Sequence, residues 1–326
     1  MLIRLLDRVS CAMLLAGLAA FLLTSAVGPN RAKAEMTVSA SFFYDQLSPD
    51  GYWVEDPYYG TVWYPSRPSR DWRPYSYGQW VWTSDYGWYW ESDEPWGWAT
   101  YHYGRWVYTV QYGWVWVPGD EWGPAWVEWR YGGGYVGWAP MPPEVMWRNN
   151  AVFYGSVDLA APRYHSSWMF VSEADFASAN LKGRYLPASR NAVLIGATTR
   201  TTSYTAINGR IVNRGVDVAR ISAATRLRID PVRVVHSETL AGTGIRGAGQ
   251  LTVYRPRVIA RATVGRVPVG PPARFGTDER VQVRPPDLPP VGGSVGGGVD
   301  LGRGGGLGVG GGGLGVGGGG GLRIGR

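Results

Sequence analysis

The chain has 326 residues, among them 18 Trp, 20 Tyr and 48 Gly, with a formal net charge of +7 at pH 7. Cys11 is the one cysteine, which excludes an intramolecular disulfide and a Cys-rich zinc site. Only Trp168 lies outside the window from Trp53 to Trp147, so the aromatic content belongs to one stretch.

Met1 to Ala34 reads as an export signal. Arg4 and Arg8 precede a short apolar run, Ala12 to Leu23, and Ala32-Lys33-Ala34 supplies the small-x-small cleavage pattern. The run is shorter than the roughly 18 apolar residues a spanning helix needs, so no transmembrane helix is expected in the mature chain. Cleavage would also remove Cys11, leaving an exported protein, periplasmic or extracellular and envelope-associated, stabilised by packing alone.

Residues 35–148 carry an internal repeat. Tyr77-Gly78-Gln79-Trp80-Val81 returns as Tyr103-Gly104-Arg105-Trp106-Val107, an offset of 26 residues. Tyr86-Gly87-Trp88-Tyr89-Trp90 returns at that offset as Tyr112-Gly113-Trp114-Val115-Trp116, and Trp96-Gly97 as Trp122-Gly123. A weaker copy begins at Gly51. A fixed period implies one supersecondary unit used several times. Within a unit, aromatic and β-branched residues alternate with the period of a pleated strand. Ser84-Asp85-Tyr86-Gly87 and Val110-Gln111-Tyr112-Gly113 supply hairpin turns, with glycine at the position that needs positive φ. Asp93-Glu94-Pro95 and Pro118-Gly119-Asp120 end the second strands, because proline cannot donate to a ladder. The fold class is therefore mainly β, with antiparallel hairpins forming a Trp/Tyr-rich sheet that is open or sandwich-like.

Residues 149–260 read as a smaller α+β segment. Val152-Phe153-Tyr154 continues as strand, and Ser172 caps a short helix from Glu173 to Ala177. Thr201 to Ile207 and Arg210 to Val212 flank Asn208-Gly209, a strong hairpin signal. Asp217 to Thr225 has helical spacing, while Val232 to Val235 and Leu251 to Tyr254 suit strands. Residues 261–326 are rich in Pro and Arg, then almost wholly in Gly with Val, Leu and Arg, a composition expected to stay disordered. Acidic residues dominate from 45 to 148 and Arg from 149 onward. Such asymmetry points to an anionic polymer as partner of the basic tail, or to the two halves meeting. Arg with Gly also suits single-stranded nucleic acid, but export makes that partner unexpected.

The residues of the repeat also carry a resemblance. SFFYDQLSPDGYWVEDPYYGTVWYP, SDEPWGWATYHYGRW, YGWVWVPGDEWGPAWVEWR and GGYVGWAPMPP resemble the bacterial exported proteins grouped as domain of unknown function six thousand six hundred. The likeness runs from about Ser41 through Pro143, with a weaker echo in NGRIVNRGVDVARI, to about residue 225. It implies an exported envelope protein and attaches no reaction and no catalytic residues.

Candidate chemistry is sparse. Asp93, Glu94, Asp120, Glu121 and Glu128 lie among tryptophans, a setting found in sugar-cleaving enzymes, where two carboxyl groups flank the bond. Here they recur with the repeat, which favours solvated turn formers over catalysts. His102, His165 and His236 are far apart and lack ligand spacing. No catalytic residue, metal site or cofactor is expected, and His102 is expected to pack or bond at a sheet face. The expected activity is binding without catalysis. Trp88, Trp90, Trp96, Trp98, Trp114 and Trp116 are expected to include a platform for an envelope polymer, a glycan first among them. Flat indoles suit the apolar faces of sugars, and so many exceed what one sheet needs inside. The alternative is a scaffold that docks another envelope protein, and a glycoside-acting enzyme is a remote third.

Overall fold

The structure, a computed structural model, describes residues 40–69, 71–244 and 249–258. The expected export signal and the expected tail from 261 lie outside these residues. A helix over 40–47 leads into six strands that make three hairpins. These are β1 (Gly51–Asp56) with β2 (Gly60–Pro65), β3 (Gly78–Thr83) with β4 (Gly87–Ser92), and β5 (Arg105–Thr109) with β6 (Gly113–Val117). Then come β7 (Val127–Gly132), β8 (Tyr135–Pro140), β9 (Met146–Arg148), β10 (Ala151–Phe153), β11 (Met169–Ser172) and β12 (Thr199–Arg200). The last strands are β13 (Tyr204–Ile207), β14 (Arg210–Asn213), β15 (Arg233–Ser237) and β16 (Gln250–Tyr254). Among the described residues no helix is long and apolar enough to cross a membrane.

The repeat holds down to single hydrogen bonds. At one turn the Thr83 hydroxyl accepts from the Tyr86 N–H at 3.1 Å and donates to the Gly87 carbonyl at 2.9 Å. At the next, Thr109 accepts from Tyr112 at 3.2 Å and donates to Gly113 at 3.3 Å. Gly87 and Gly113 take φ of 70° and 69°.

Neighbouring hairpins do not join each other. The first and third share a sheet ordered β1-β2-β6-β5, while the second sits in another, β13-β14-β4-β3. The helical turn Gly97–Thr100 breaks the meander, its early N–H groups bonding back to the carbonyls of Glu94 and Trp96. A third sheet, β11-β8-β7-β12, takes two strands from beyond residue 149, as the second sheet does. β15 and β16 pair in parallel, which needs the long connection between them.

Register lines the indoles up. Trp53 faces Trp63, Trp63 faces Trp116 and Trp116 faces Trp106, so one row crosses four strands. Trp80 faces Trp90 in the second sheet, and Trp129 faces Trp138 in the third. These two pairs meet face to face, with Trp80 ring centroids 4.4 Å from Trp129 and 5.7 Å from Trp138. The result is sandwich-like packing over an aromatic core.

The core uses indoles for more than burial. Trp63 donates to the Leu47 carbonyl, Trp88 to Val216, Trp106 to Thr100, Trp116 to Tyr103, Trp126 to His102 and Trp138 to Tyr75. All six acceptors lie outside strands. A buried carbonyl without a partner costs free energy, and a loop has no ladder to supply one. A tryptophan brings a large apolar body and a single donor together, so these side chains let irregular backbone be buried beside sheets.

The later segment follows local signals. Ser172 accepts from the Asp175 N–H at 3.2 Å to cap Glu173–Phe176, and Asp217 caps Val218–Thr225 through Ala219 and Arg220. Asn208 and Gly209 turn the β13–β14 hairpin with φ of 50° and 71°.

Candidate functional site

The six tryptophans expected to include a platform are dispersed. Trp88, Trp90 and Trp116 are at most 1 % exposed and belong to the core, which corrects their assignment to a binding surface. Both faces of β4 and β6 are covered at these positions, since Tyr89 and Val115 are buried as well. Trp96, Trp98 and Trp114 are half-buried, but no ring contact joins them. Trp96 rests on Trp63, Trp98 lies between Phe43 and Tyr254, and Trp114 faces Tyr108 across a hairpin.

The acids are also unlike one another. Asp93 is exposed, whereas Glu94 is not the solvated turn former expected. Its carboxylate accepts from the Trp72 indole at 2.5 Å and from the Tyr101 hydroxyl. Burial pushes its pKa up to about 7, against those hydrogen bonds. Glu128, 2 % exposed, is likewise pushed up to about 7 by burial, with Arg200 3.8 Å away opposing the rise. The structure places the two carboxyls in separate environments, Glu94 with Trp72 and Tyr101, Glu128 with Arg200. Among the described residues no group of three His, Cys, Asp or Glu could hold a metal ion.

A carboxyl whose folded pKa lies above its unfolded value near 4.3 binds its proton more tightly in the folded state. Its contribution to stability is complete below that value and is lost as pH rises through about 7. His102 works in the opposite sense, since burial pushes it down to about 4. The informative comparison is therefore with a variant. Glu94→Gln is expected to gain on the native chain between about pH 5 and 7 and then to level off, as read by urea midpoints. Parallel curves would contradict the assignment.

His102 is expected at a sheet face and instead follows the helical turn Gly97–Thr100, buried in a stack of planar groups. Tyr89 lies 4.5 Å away at 14° and Trp122 lies 5.7 Å away at 18°. The Nδ1–H donates to the Gly123 carbonyl at 2.9 Å. On Trp122 sits the Arg255 guanidinium, 4.4 Å from the ring centroid. Tyr89, His102, Trp122 and Arg255 thus form one continuous stack from the core to the surface.

That stack ends in a groove of about 480 Å³. Trp122 and Tyr103 lie at its base, both nearly sealed, at 4 % and 1 % exposure. Asp120 and Glu121 of the loop after β6 form one part of the lining. His236 of β15 and the chain after β16, with Arg255 and Arg257, form the rest. Gly119 lets this loop approach closely, because a Cβ there would stand 2.9 Å from the Gly104 Cα.

Hydrogen bonds fix the polar groups. Arg255 donates to the Tyr86 hydroxyl at 3.2 Å, and Tyr86 is 2.9 Å from His236 Nε2. Burial, then Arg255, lowers the His236 pKa. Burial and then Asp120 raise the Glu121 pKa. Among the described residues, Asp120, Glu121, Arg255 and Arg257 form no ion pair.

Sequence spacing does not reveal this groove. Its parts come from Tyr86, Trp122, His236 and Arg255, and parallel pairing of β15 with β16 places His236 opposite Val253. The legible signals are Trp122, as the repeat partner of Trp96, and the adjacent acids Asp120 and Glu121; nothing in the spacing joins them to His236 or Arg255.

Residues 44–145 match the model of a family of unknown function (DUF6600). No curated protein and no solved structure matches the chain. The matched span contains the three aromatic hairpins and β7 with β8, together with the acidic loop of the groove, and ends before His236 and Arg255.

Proposed function

We propose that the protein is a non-enzymatic, exported component of the cell envelope that binds an envelope polymer in the groove over Trp122, a glycan being the first candidate. The observation that supports this most is the groove itself, where carboxylate, imidazole and guanidinium groups surround one cleft on a rigid aromatic base. Planar polar groups of both signs match the paired donors and acceptors of sugar hydroxyls. Trp122 is too covered to serve as a stacking platform, so polar contacts carry recognition and the indole fixes the guanidinium. Asp120 and Glu121, the two acids of the groove, are adjacent on one loop, which favours binding over glycoside cleavage, where two carboxyls stand on opposite sides of one bond.

A second reading, a scaffold docking another envelope protein, draws on Tyr52, Tyr58 and Tyr108, which are 43 %, 58 % and 47 % exposed. Titration separates the two. Cell-wall and capsular glycan fragments added to the full chain are expected to change tryptophan fluorescence saturably. Arg255→Ala is expected to weaken this response about tenfold or more, the usual worth of a charge-assisted contact. No response at millimolar glycan would remove the groove reading and leave the scaffold.

A further inference from the structure

The groove holds opposite charges apart. Asp120 and Glu121 come from the loop after β6, and Arg255 and Arg257 from the chain after β16. Elsewhere on this molecule exposed arginines do pair, as in Arg184 with Asp175 at 2.6 Å and Arg210 with Asp85 at 2.7 Å. Within the groove none of the four joins an ion pair among the described residues.

Two features hold Arg255 away from the acids. Its guanidinium lies over the Trp122 ring, and one N–H is committed to the Tyr86 hydroxyl. Stacking and a single hydrogen bond set the plane and leave further N–H groups for an anion, which a guanidinium binds in bidentate fashion. The indole beneath it cannot swing, being clamped by His102 on one face and by the edge-on Tyr86 ring, 4.8 Å away at 68°. On the acidic part, burial and then Asp120 raise the pKa of Glu121, against the smaller opposing pull of Arg105 and Arg255, so a cation in direct contact there relieves the repulsion from Asp120 as well as gaining attraction.

From this arrangement we infer that the groove selects a zwitterionic unit of the polymer, one bearing both a free ammonium and a free carboxylate, such as an amino-acid side branch on a glycan. The ammonium is taken by Asp120 and Glu121, and the carboxylate by Arg255 with Arg257. A neutral sugar leaves both sets of charges without a partner. A purely acidic unit meets repulsion from the acids, and a purely basic one from the arginines. The inference rests on the groove being the polymer site, as proposed above.

The test uses the full chain and four probes: a cell-wall disaccharide-peptide with free ammonium and carboxylate, the same molecule N-acetylated, the same molecule amidated, and a neutral oligosaccharide of equal length. Calorimetry is expected to rank the zwitterion first, with about tenfold weaker binding for each charge capped. Its affinity is expected to fall with added salt, as screening requires. Arg255→Gln is expected to abolish the preference for the free carboxylate and Glu121→Gln that for the free ammonium. Arg257→Gln, at an exposed site, repeats the carboxylate test without touching the Trp122 stack. Equal binding of the neutral oligosaccharide and the zwitterion would overturn the inference while leaving the groove as a glycan site. No binding of any probe would overturn both.

Discussion

Trp138→Ala is expected to lower stability by about 3–5 kcal/mol, the range for truncating a large aromatic in a closed core. Trp138 is fully buried at the meeting of the second and third sheets, where its ring contacts Trp80, Trp90, Trp129, Phe176 and Tyr185. Its indole also donates to the Tyr75 carbonyl at 3.1 Å. Truncation therefore opens a cavity and strips a buried carbonyl of its donor, two separate costs. Tyr75 is itself a junction, its hydroxyl donating to the Tyr101 carbonyl and accepting from the Trp126 N–H. The matched control is Trp114→Ala, a half-buried residue at the margin of the same core, whose one aromatic ring contact among the described residues is with the exposed Tyr108. It is expected to cost about 1 kcal/mol, near the centre of the range for single substitutions. Urea unfolding of both variants at a common slope measures the difference. Equal losses would mean that the sheet interface is not where the indoles stabilise the fold.

The internal repeat supplies the second large effect. Gly87 and Gly113 occupy the same turn position with nearly the same φ, so an alanine at either pays a similar conformational cost of about 1 kcal/mol. Their surroundings differ. A Cβ on Gly113 would meet only the Tyr108 ring at 3.9 Å, an ordinary contact. On Gly87 it would lie 2.0 Å from the Asn213 carbonyl oxygen. Asn213 is the residue of β14 that pairs with Gly87, and its side chain accepts from the Trp129 indole at 2.9 Å and donates to the Trp88 carbonyl at 3.2 Å. Relieving the clash means moving β14 and breaking a buried polar junction. Gly87→Ala is expected to cost at least about 3 kcal/mol, the scale of a lost buried network, and Gly113→Ala about 1 kcal/mol. Thermal unfolding of the two variants would show it. Equal shifts would contradict the docking of β14 on the second hairpin alone.

The contrast explains what the sequence could and could not convey. Alternation of Trp80, Val81 and Trp82, the glycines at turn positions and Asn208-Gly209 are local signals, and the strands and hairpins follow them. Which hairpins share a sheet is not local. The two copies are nearly alike in sequence, yet one receives β14 and the other pairs with β2 through Trp63 and Trp116. The surplus of tryptophan points to an exposed platform only if an indole's worth inside is its apolar area alone. The structure shows the second use, donation to carbonyls of helix ends and loops outside the strands, and the need for such donors cannot be counted before those segments are placed. Glu94 shows the same limit, since its desolvation depends on Trp72 and Tyr101 closing around it. The groove was illegible for a plainer reason: Tyr86, Trp122, His236 and Arg255 meet only through tertiary folding.

The central claim is that ligand is held over Trp122 and not over the tryptophans of the core. Its most direct test is the indole N–H region of an NMR spectrum of the full chain, titrated with the zwitterionic disaccharide-peptide. Trp122 has a buried indole nitrogen with no hydrogen-bond partner among the described residues and lies beneath Arg255, so its signal is expected to shift first and most. Trp88 and Trp116, bonded to Val216 and Tyr103 deep in the core, are expected to stay in place. Saturable shifts at Trp98 or Trp114 with Trp122 unmoved would contradict the account.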